Sequence, residues 1–174
     1  MAKRVADWRL VYDAKYITAH YGEMSEFRRK NGMQAHSGTD WARPRGTRIP
    51  AIAKGTIRLI QFSKVLGWVV VQTAMDKDGK IWYRGYCHMD SKPRYSVGQK
   101  LRKGQTVGLL GNSGQSSGPH CHVTASRTLK GVFGVTSAKV DVYKLILANT
   151  KRAKAVQAKA AKSLGVCQSC KRAY

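Results

Sequence analysis

Four of the five histidines in this chain, together with one aspartate, fall in three short segments that could do metal chemistry. His36 and Asp40 belong to the first segment, His88 to the second, and His120 and His122 to a third that follows a glycine-rich run. Imidazole nitrogen and carboxylate oxygen are common zinc ligands, and a catalytic zinc site uses three protein ligands and a water. Each segment alone is a weak signal, but together they predict a metal site.

The spacing within the segments is compatible with one shared site. Alternate residues of a strand lie on the same face about 6.5 Å apart, so a strand carrying His120 and His122 would direct both rings into one pocket. Only one of these rings would need to bind the metal. In an extended chain His36 and Asp40 would be about 13 Å apart. A turn at Gly38, which tolerates unusual backbone angles, would bring their side chains together.

The sequence lacks other motifs for phosphate or hydrolytic chemistry. Its glycine-rich run has no Gly-Lys-Ser/Thr ending, and Pro119, Val123 and Thr124 predict a following strand rather than a phosphate-binding helix. No His-Glu-x-x-His helix supplies a glutamate base, and no Gly-x-Ser-x-Gly elbow supplies a serine nucleophile. If the metal site is catalytic, histidine must therefore act as the base.

In these segments, and in several glycine-containing blocks between them, the sequence resembles the lysostaphin/LytM-type zinc endopeptidases, which cut peptide bonds in bacterial peptidoglycan. The resemblance covers about residues 16–127 and preserves the order of every block. The blocks are residues 36–41, 49–53, 55–57, 86–89, 97–99 with Leu101, 104–108, and 111–114 through 122–124.

The resemblance implies a division of roles among the site residues. His36, Asp40 and His122 would bind Zn²⁺, whereas His88 and His120 would stay unligated, handle protons and stabilise the transition state. Zinc lowers the pKa of its bound water to about 7 and polarises the scissile carbonyl. The two free imidazoles would take the proton from that water and return it to the leaving amine.

The four cysteines carry two different expectations. Cys87 and Cys121 each adjoin a site histidine on a strand, so both should face the core, where free cysteine acts as a small apolar residue. The resembled family usually has leucine where Cys121 stands. Cys167 and Cys170 supply only two of the four ligands of a structural zinc site, so oxidation and metal binding in a dimer both stay open.

The hydrophobic pattern predicts a mainly β fold, an antiparallel β-sheet domain with a groove into which loops carry the zinc site. The strand-like segments are residues 49–62, 67–74, 80–88, 106–110 and 120–125. A hairpin turn is predicted at residues 76–79, where Asp-Lys-Asp-Gly separates two of these segments.

Three parts are expected along the chain. Residues 1–35 would be an irregular N-terminal extension packed on the sheet, with His20 as a structural or groove-rim residue. Residues 36–150 would be the zinc peptidase domain, with a helix over 142–149. Residues 151–174 would be a basic C-terminal tail, either a short helix over 151–163 or, as favoured here, a solvated segment.

Composition fits one folded domain with extensions. The 174 residues are 43% hydrophobic and contain no apolar run long enough to span a membrane. No secretory signal is visible at the start of the chain. A cell-wall enzyme without a signal would reach the wall by a bacteriophage route, through a holin pore or in the virion, which favours a phage lysin. The sequence leaves the oligomeric state open.

Charge points to a polyanionic partner. The chain has 32 basic and 9 acidic residues, a net charge of +23, and seven of the basic residues lie in the last 24 positions. Such a field attracts polyanions. Anionic wall polymers such as teichoic acids are the favoured partner beside peptidoglycan itself. Nonspecific nucleic-acid binding is also expected, although no helix-turn-helix, RRM or zinc-finger motif is evident.

Three functions compete on these observations. A catalytic peptidoglycan endopeptidase is favoured, because every expected ligand and both proton-handling histidines are present. A non-catalytic member that binds wall or activates a partner would typically have lost ligands. A basic nucleic-acid-binding protein would leave the histidine constellation unexplained.

Overall fold

The structure is a computed structural model that describes residues 11–76, 79–134 and 139–148. The strands are β1 (Ile17–Ala19), β2 (Thr39–Ala42), β3 (Arg48–Pro50), β4 (Gly55–Ser63), β5 (Gly67–Met75), β6 (Ile81–Met89), β7 (Lys100–Leu101), β8 (Thr106–Leu109), β9 (His120–Ser126) and β10 (Lys139–Val140). The helices are a 3-10 turn at Ala14–Tyr16, α1 (Glu26–Lys30) and α2 (Leu129–Phe133), and residues 142–148 are also helical. The chain forms two compact units, Met1–Val142 and Tyr143–Tyr174, and the strands lie in the first.

Eight of the strands form one antiparallel sheet in the order β1-β2-β9-β6-β5-β4-β7, and β10 also pairs with β9. β3 and β8 form a separate antiparallel pair. The hairpin between β5 and β6 closes at the predicted turn, where the Asp76 amide donates to the Lys80 carbonyl and Gly79 adopts a φ of +75°. The predicted mainly antiparallel β fold is confirmed.

One face of the main sheet packs on the segment that leads away from β3. The Tyr86 hydroxyl accepts a hydrogen bond from the Ile52 amide at 3.0 Å and donates one to Gln72 Oε1 at 3.1 Å. Gln72 in turn donates from Nε2 to the Ala53 carbonyl at 2.9 Å. These polar bonds lie within an apolar layer in which Trp41, Ile49, Val107, Leu110 and Cys121 are buried. The main sheet and the β3–β8 pair therefore pack against each other through a buried core.

The opposite face of the main sheet is apolar at one end and polar at the other. Val69, Val71 and Cys87 form a buried cluster with Val132 of α2 at the apolar end. α2 begins at Thr128, whose side chain accepts a hydrogen bond from the Gly131 amide and so caps the helix. α2 does not extend over the polar end, where the site histidines lie.

The five predicted strands are all present, with one break. The run at 49–62 is divided into β3 and β4, because Gly104 donates to the Ala51 carbonyl and Ala51 donates to Gln105. The strands β1, β2, β7 and β10 were not predicted, since each is at most four residues long. Among the described residues, no helix is both long and apolar enough to cross a membrane.

Residues 11–35 contain a 3-10 turn, β1 and α1, and so have more regular structure than the expected irregular extension. β1 pairs with β2 at one edge of the sheet. Tyr12 is buried, packs edge-to-face on Trp41 with ring centroids 5.1 Å apart, and donates from its hydroxyl to the Pro50 carbonyl at 2.7 Å. This segment therefore completes both the sheet edge and the core beneath it. The tail residues 151–174, with Cys167 and Cys170, lie outside the described residues.

Candidate metal centre

The pairing of β2 with β9 creates the first half of the site. The register sets Asp40 opposite His122, so their side chains lie on the same face of the sheet. Asp40 Oδ1 is 2.7 Å from His122 Nδ1. This contact joins two segments 82 residues apart in the sequence, and it depends only on the ordinary alternation of two strands.

The loop before β2 brings in His36. Its backbone is clamped to an earlier turn, because the His36 amide donates to the Glu23 carbonyl and the Gly22 amide donates to the His36 carbonyl, both at 2.8 Å. The ring Nδ1 lies 3.0 Å from the His20 carbonyl, which fixes the proton on Nδ1 and leaves a lone pair on Nε2. That Nε2 is 3.2 Å from Asp40 Oδ2 and 3.1 Å from His122 Nδ1.

Gly38 allows the loop to pass against the His122 ring. A Cβ at this position would lie 2.5 Å from the Val123 carbonyl oxygen and 2.7 Å from the His122 Cε1 and Nε2 atoms. The sequence predicts that Gly38 permits a turn. Its steric role, the close approach of loop and ring, is equally important for the geometry of the site.

The three donor groups fit a zinc ion. Their ligand atoms all lie within 4.8 Å of one another. Donors bound about 2.1 Å from a tetrahedral zinc are about 3.4 Å apart, close to the observed separations of 2.7–3.2 Å. Two imidazole nitrogens and a carboxylate this close together form a ligand set that one cation can share. The chemistry and spacing of His36, Asp40 and His122 therefore suit Zn²⁺.

The electrostatics of His36, Asp40 and His122, called the metal trio below, favour the protonation states that bind a metal. Burial alone would raise the pKa of Asp40, but its contacts with the His122 and His36 rings outweigh burial and hold the pKa well below its usual range. Burial lowers the pKa of His122, against the opposing effect of Asp40. The aspartate is therefore ionised, and protonation of the buried His122 ring is disfavoured.

His88 reaches the same face by an irregularity in β6. Between the pairs Val70–Tyr86 and Trp68–Met89, two steps along β5 match three steps along β6, so β6 carries an extra residue. His88 itself has a φ of +55°, a conformation rare for residues other than glycine. Without this bulge, alternation would direct His88 to the opposite face.

Ser113 in the glycine-rich loop holds the bulge in place. Its carbonyl is 2.7 Å from His88 Nδ1, so that nitrogen donates and Nε2 keeps its lone pair. The Ser113 hydroxyl donates to the Met89 carbonyl at 2.6 Å and accepts from the Trp68 amide at 3.0 Å. Burial lowers the pKa of His88 to about 4, which keeps the ring neutral at pH 7.

His120 lies beside His88, with the ring centroids 4.6 Å apart. Its Nδ1 is 2.9 Å from the Gly118 carbonyl and 3.1 Å from Ser116 Oγ, and its Nε2 is 3.7 Å from Asp40 Oδ2. Both rings thus have Nδ1 anchored to a backbone carbonyl and Nε2 free to face the metal trio. A neutral imidazole held in this way can accept a proton at Nε2.

The site opens into a groove of about 740 Å³. One wall comes from α1 and the residues after it, and the other from the β4–β5 turn and the glycine-rich loop. Several apolar side chains on these walls are solvent-exposed, including Phe27 at 68% and Val65 at 52%. The lining residues are Phe27, Arg28, Asn31, Met33, His36, Ser37, Asp40, Val65, Leu66, His88, Gln115, Ser116, Ser117, His120 and His122.

All five candidate site residues from the sequence meet in this groove, and His88, His120 and His122 lie on strands that the sequence predicts, whereas Asp40 lies on β2, which it does not predict. Asp40, His88, His120 and His122 are strand residues, and only His36 is on a loop. Sequence reasoning missed the carbonyl groups of His20, Ser113 and Gly118, because a backbone oxygen has no residue-type signature. His20 itself is exposed, and only its carbonyl contributes to the site.

The two described cysteines are buried free thiols, as expected. Cys121 alternates with His120 and His122 and therefore lies on the other face of the sheet, beside its β2 partner Trp41. Cys87 lies on the site face, but at the apolar end with Val69 and Val71. Burial raises the pKa of Cys87 to about 12. Neither thiol is a metal ligand in this arrangement.

Comparison with known proteins places this architecture in a family. The model of peptidase family M23 matches residues 34–133. Peptidoglycan DD-endopeptidase ShyA of Vibrio cholerae is 36% identical over 88 residues, 50% of this chain and 19% of that protein. The chain thus spans about a fifth of the length of ShyA and of a second curated relative, ShyC of Vibrio cholerae.

Solved structures agree with the family match. A variant catalytic domain of the prophage-encoded M23 protein EnpA from Enterococcus faecalis is similar with a TM-score of 0.56 and 32% identity, covering 72% of this chain and 86% of that one. The catalytic domain of lysostaphin from Staphylococcus simulans has a TM-score of 0.58 and 25% identity, covering 74% and 88%. The family match spans more than half of this chain and includes all five site residues, so the chain belongs to peptidase family M23, a family of zinc metallopeptidases.

Proposed function

We propose that this protein is a zinc-dependent endopeptidase that hydrolyses peptide bonds in bacterial peptidoglycan. The observation that carries the proposal is the asymmetry of the histidine cluster. Three donors converge within 4.8 Å, and two further imidazoles stand beside them with Nε2 unoccupied. A purely structural zinc site would have four protein ligands and no need for the extra pair.

The proposed roles follow from the hydrogen bonds. His36, Asp40 and His122 would hold the zinc. Bound zinc supplies Lewis acidity, which makes water more acidic and polarises a carbonyl. His88 and His120, neither of them a ligand, accept a proton at Nε2 from the attacking water and return it to the leaving amine. The Ser113 and Gly118 carbonyls keep these two rings in the required tautomer.

The substrate assignment rests on the groove and on the relatives. The groove is partly open to solvent, and exposed apolar side chains such as Phe27 and Val65 on its lining could contact a peptide within a polymer. The relatives ShyA and lysostaphin are described as a peptidoglycan DD-endopeptidase and an antimicrobial peptidase. We assign peptidoglycan as the substrate, and the hydrolysed peptide bond lies in a stem peptide or a cross-bridge.

A phage lysin role and attraction to anionic wall polymers complete the proposal. EnpA, the relative with a similar catalytic domain, is prophage-encoded. The net charge of +23 favours binding to polyanions, among which teichoic acids accompany the peptidoglycan substrate. Wall binding should then weaken as salt shortens the Debye length from about 8 Å at 0.15 M to about 3 Å at 1 M.

The test is digestion of purified walls of several peptidoglycan types by the zinc-loaded protein. New amino termini identified by mass spectrometry would reveal the bond cut, and we expect a chelator to stop the reaction and added zinc to restore it. Asp40→Ala serves as the matched inactive protein, because a contaminating hydrolase would persist in that preparation. Walls left intact by a folded, zinc-loaded protein would contradict the proposal and favour a non-catalytic binding role.

A further inference from the structure

We propose that Arg28 is a specificity-determining residue that binds a free carboxylate on the substrate peptide. This inference rests on the peptidase function proposed above. It concerns the wall of the groove formed by α1, which lies outside the metal centre. The ligand class is an anionic peptide, with the carboxylate near the bond to be cut.

The charge of the groove is the first observation. Of the fifteen described residues that line it, Arg28 is the only lysine or arginine, and Asp40 is the only carboxylate. Asp40 is held in contact with His36 and His122. Within the described part of the chain, Arg28 therefore supplies the one permanent positive charge of the groove lining, and apart from Asp40 the other lining residues are apolar or neutral.

The guanidinium is already held in place. Arg28 is half-buried, and its Nη1 donates to the Gln34 carbonyl at 2.9 Å. Its backbone is also fixed, because the amide donates to the Ser25 hydroxyl that caps α1 and the carbonyl accepts from Met33 at 2.9 Å. One of the five N–H groups is used by Gln34, so a pair of donors is left for a carboxylate.

No acidic residue in the described part of the chain neutralises Arg28. Glu26, on the same helix, pairs with Lys30 at 2.8 Å, and Glu23 accepts from the His20 amide. The ion pairs of the other described arginines, Arg45 with Asp90 and Arg127 with Asp76, are elsewhere. A half-buried arginine with an anchored but uncompensated charge is suited to a planar carboxylate.

Arg29 is the matched control. It follows Arg28 on the same helix, and its Nη1 also donates to a backbone carbonyl, that of Met24 at 2.7 Å. Arg29 is exposed and does not line the groove. Arg28→Gln and Arg29→Gln therefore remove the same charge and a similar hydrogen bond, and they differ in whether the lost guanidinium faced the groove.

The experiment compares two stem-peptide substrates that differ only in one acidic residue, present as a free carboxylate or as the carboxamide. We expect the wild-type enzyme to prefer the carboxylate in kcat/KM by roughly tenfold to a hundredfold, the size expected for a charge-assisted bond. Arg28→Gln should abolish the preference by slowing cleavage of the carboxylate substrate alone. Arg29→Gln should retain it, and Arg28→Lys should restore part of it.

Each alternative result has a defined meaning. Equal cleavage of both substrates by the wild type, or a preference that survives Arg28→Gln, would overturn the Arg28 inference and leave the peptidase function standing. Cleavage of neither substrate by the zinc-loaded protein would overturn the proposed function. Calorimetric binding of the same two peptides then decides the inference: discrimination lost only in Arg28→Gln supports it, and equal binding of both peptides overturns it.

Discussion

The histidines of β9 and the histidine of β6 reach the same groove by different structural means. His120 and His122 are two residues apart on a regular strand, and ordinary alternation gives both rings the same face. His88 lies at the end of a strand whose alternation would send it to the other face, and an extra residue with a φ of +55° reverses that direction. The placement of His120 and His122 follows the alternation of side chains along a strand, whereas the placement of His88 departs from it.

This difference separates what local sequence controls from what tertiary contacts control. The β9 pair needs only strand pairing with β2, which also supplies Asp40. The bulge of β6 needs the loop that carries Ser113, whose hydroxyl and carbonyl bond to Met89 and His88. We therefore expect the metal trio and the His88 position to respond to different substitutions, and the predictions below test that separation.

The largest effect should come from the metal trio. Asp40→Ala and His36→Ala should each lose the bound zinc and with it all measurable peptidase activity, because two remaining donors cannot hold a catalytic zinc. Elemental analysis of the purified protein measures the zinc directly. Asp90→Ala, an aspartate that pairs with Arg45 outside the trio, is the control and should keep its zinc. Full zinc in Asp40→Ala would remove this residue from the ligand set.

The next effect should come from the unligated histidines. His88→Ala and His120→Ala should retain zinc but cleave peptides about 10²–10⁴-fold more slowly, the usual contribution of a general acid or base. His20→Ala is the control, because its ring is exposed and its backbone carbonyl still supports His36. Near wild-type activity in His88→Ala would show that the bulge positions a ring without a catalytic role.

Much of the fold and of the site residues could be predicted from the sequence. The long strands β5, β6 and β9 follow alternating or apolar runs bounded by turn residues, and the turn at Asp76 is correctly anticipated. The strands β7 and β10 have two residues each, which are too few to show the alternation of apolar and polar residues that predicts a strand. They exist because neighbouring strands offer free edges, which is a tertiary effect.

The identities of the site residues could be predicted from the sequence better than the geometry of the site. Residue types indicated which side chains could bind or move protons, but the strand bulge before His88 has no signature in residues 86–89. The same holds for the close approach of Gly38 to His122, which depends on a neighbour 84 positions away. Packing between distant segments decides such details, and a single sequence does not encode them in any local pattern.

Gly38→Ala should have a moderate effect on zinc affinity, because it disturbs His122 on the regular strand β9. The added Cβ would lie 2.7 Å from ring atoms of His122 and 2.5 Å from the Val123 carbonyl oxygen, so the ring must shift. Disturbing a residue that positions a zinc ligand typically costs about tenfold to a hundredfold in metal affinity. Competition with a chelator measures that affinity. Gly118→Ala, where a Cβ would meet open space, should bind zinc normally, and equal affinities for the two variants would contradict the steric argument.

The smallest effect should be a pH dependence of stability that originates in the bulge. Burial lowers the pKa of His88 from 6.5 to about 4. Between these values the unfolded chain binds a proton that the folded ring does not, so stability falls as the pH falls through this window. One such proton changes the free energy of unfolding by at most about 1.4 kcal/mol per pH unit. Asp40, whose pKa is lowered from 3.8, contributes mainly below that pH and so only slightly within this window.

Urea unfolding of the metal-free protein at pH 6.5 and pH 4.5 measures this slope, and His88→Asn supplies the comparison because asparagine does not titrate. We expect the variant to lose less stability than the wild type over the same interval. Some slope should persist, since burial also lowers the pKa of His122 on the regular strand. Identical slopes for both proteins would mean that the folded His88 ring is protonated as readily as in the unfolded chain. The bulge would then expose the ring to water, and of the two strands β6 and β9 only β9 would contribute a buried, neutral histidine to the site.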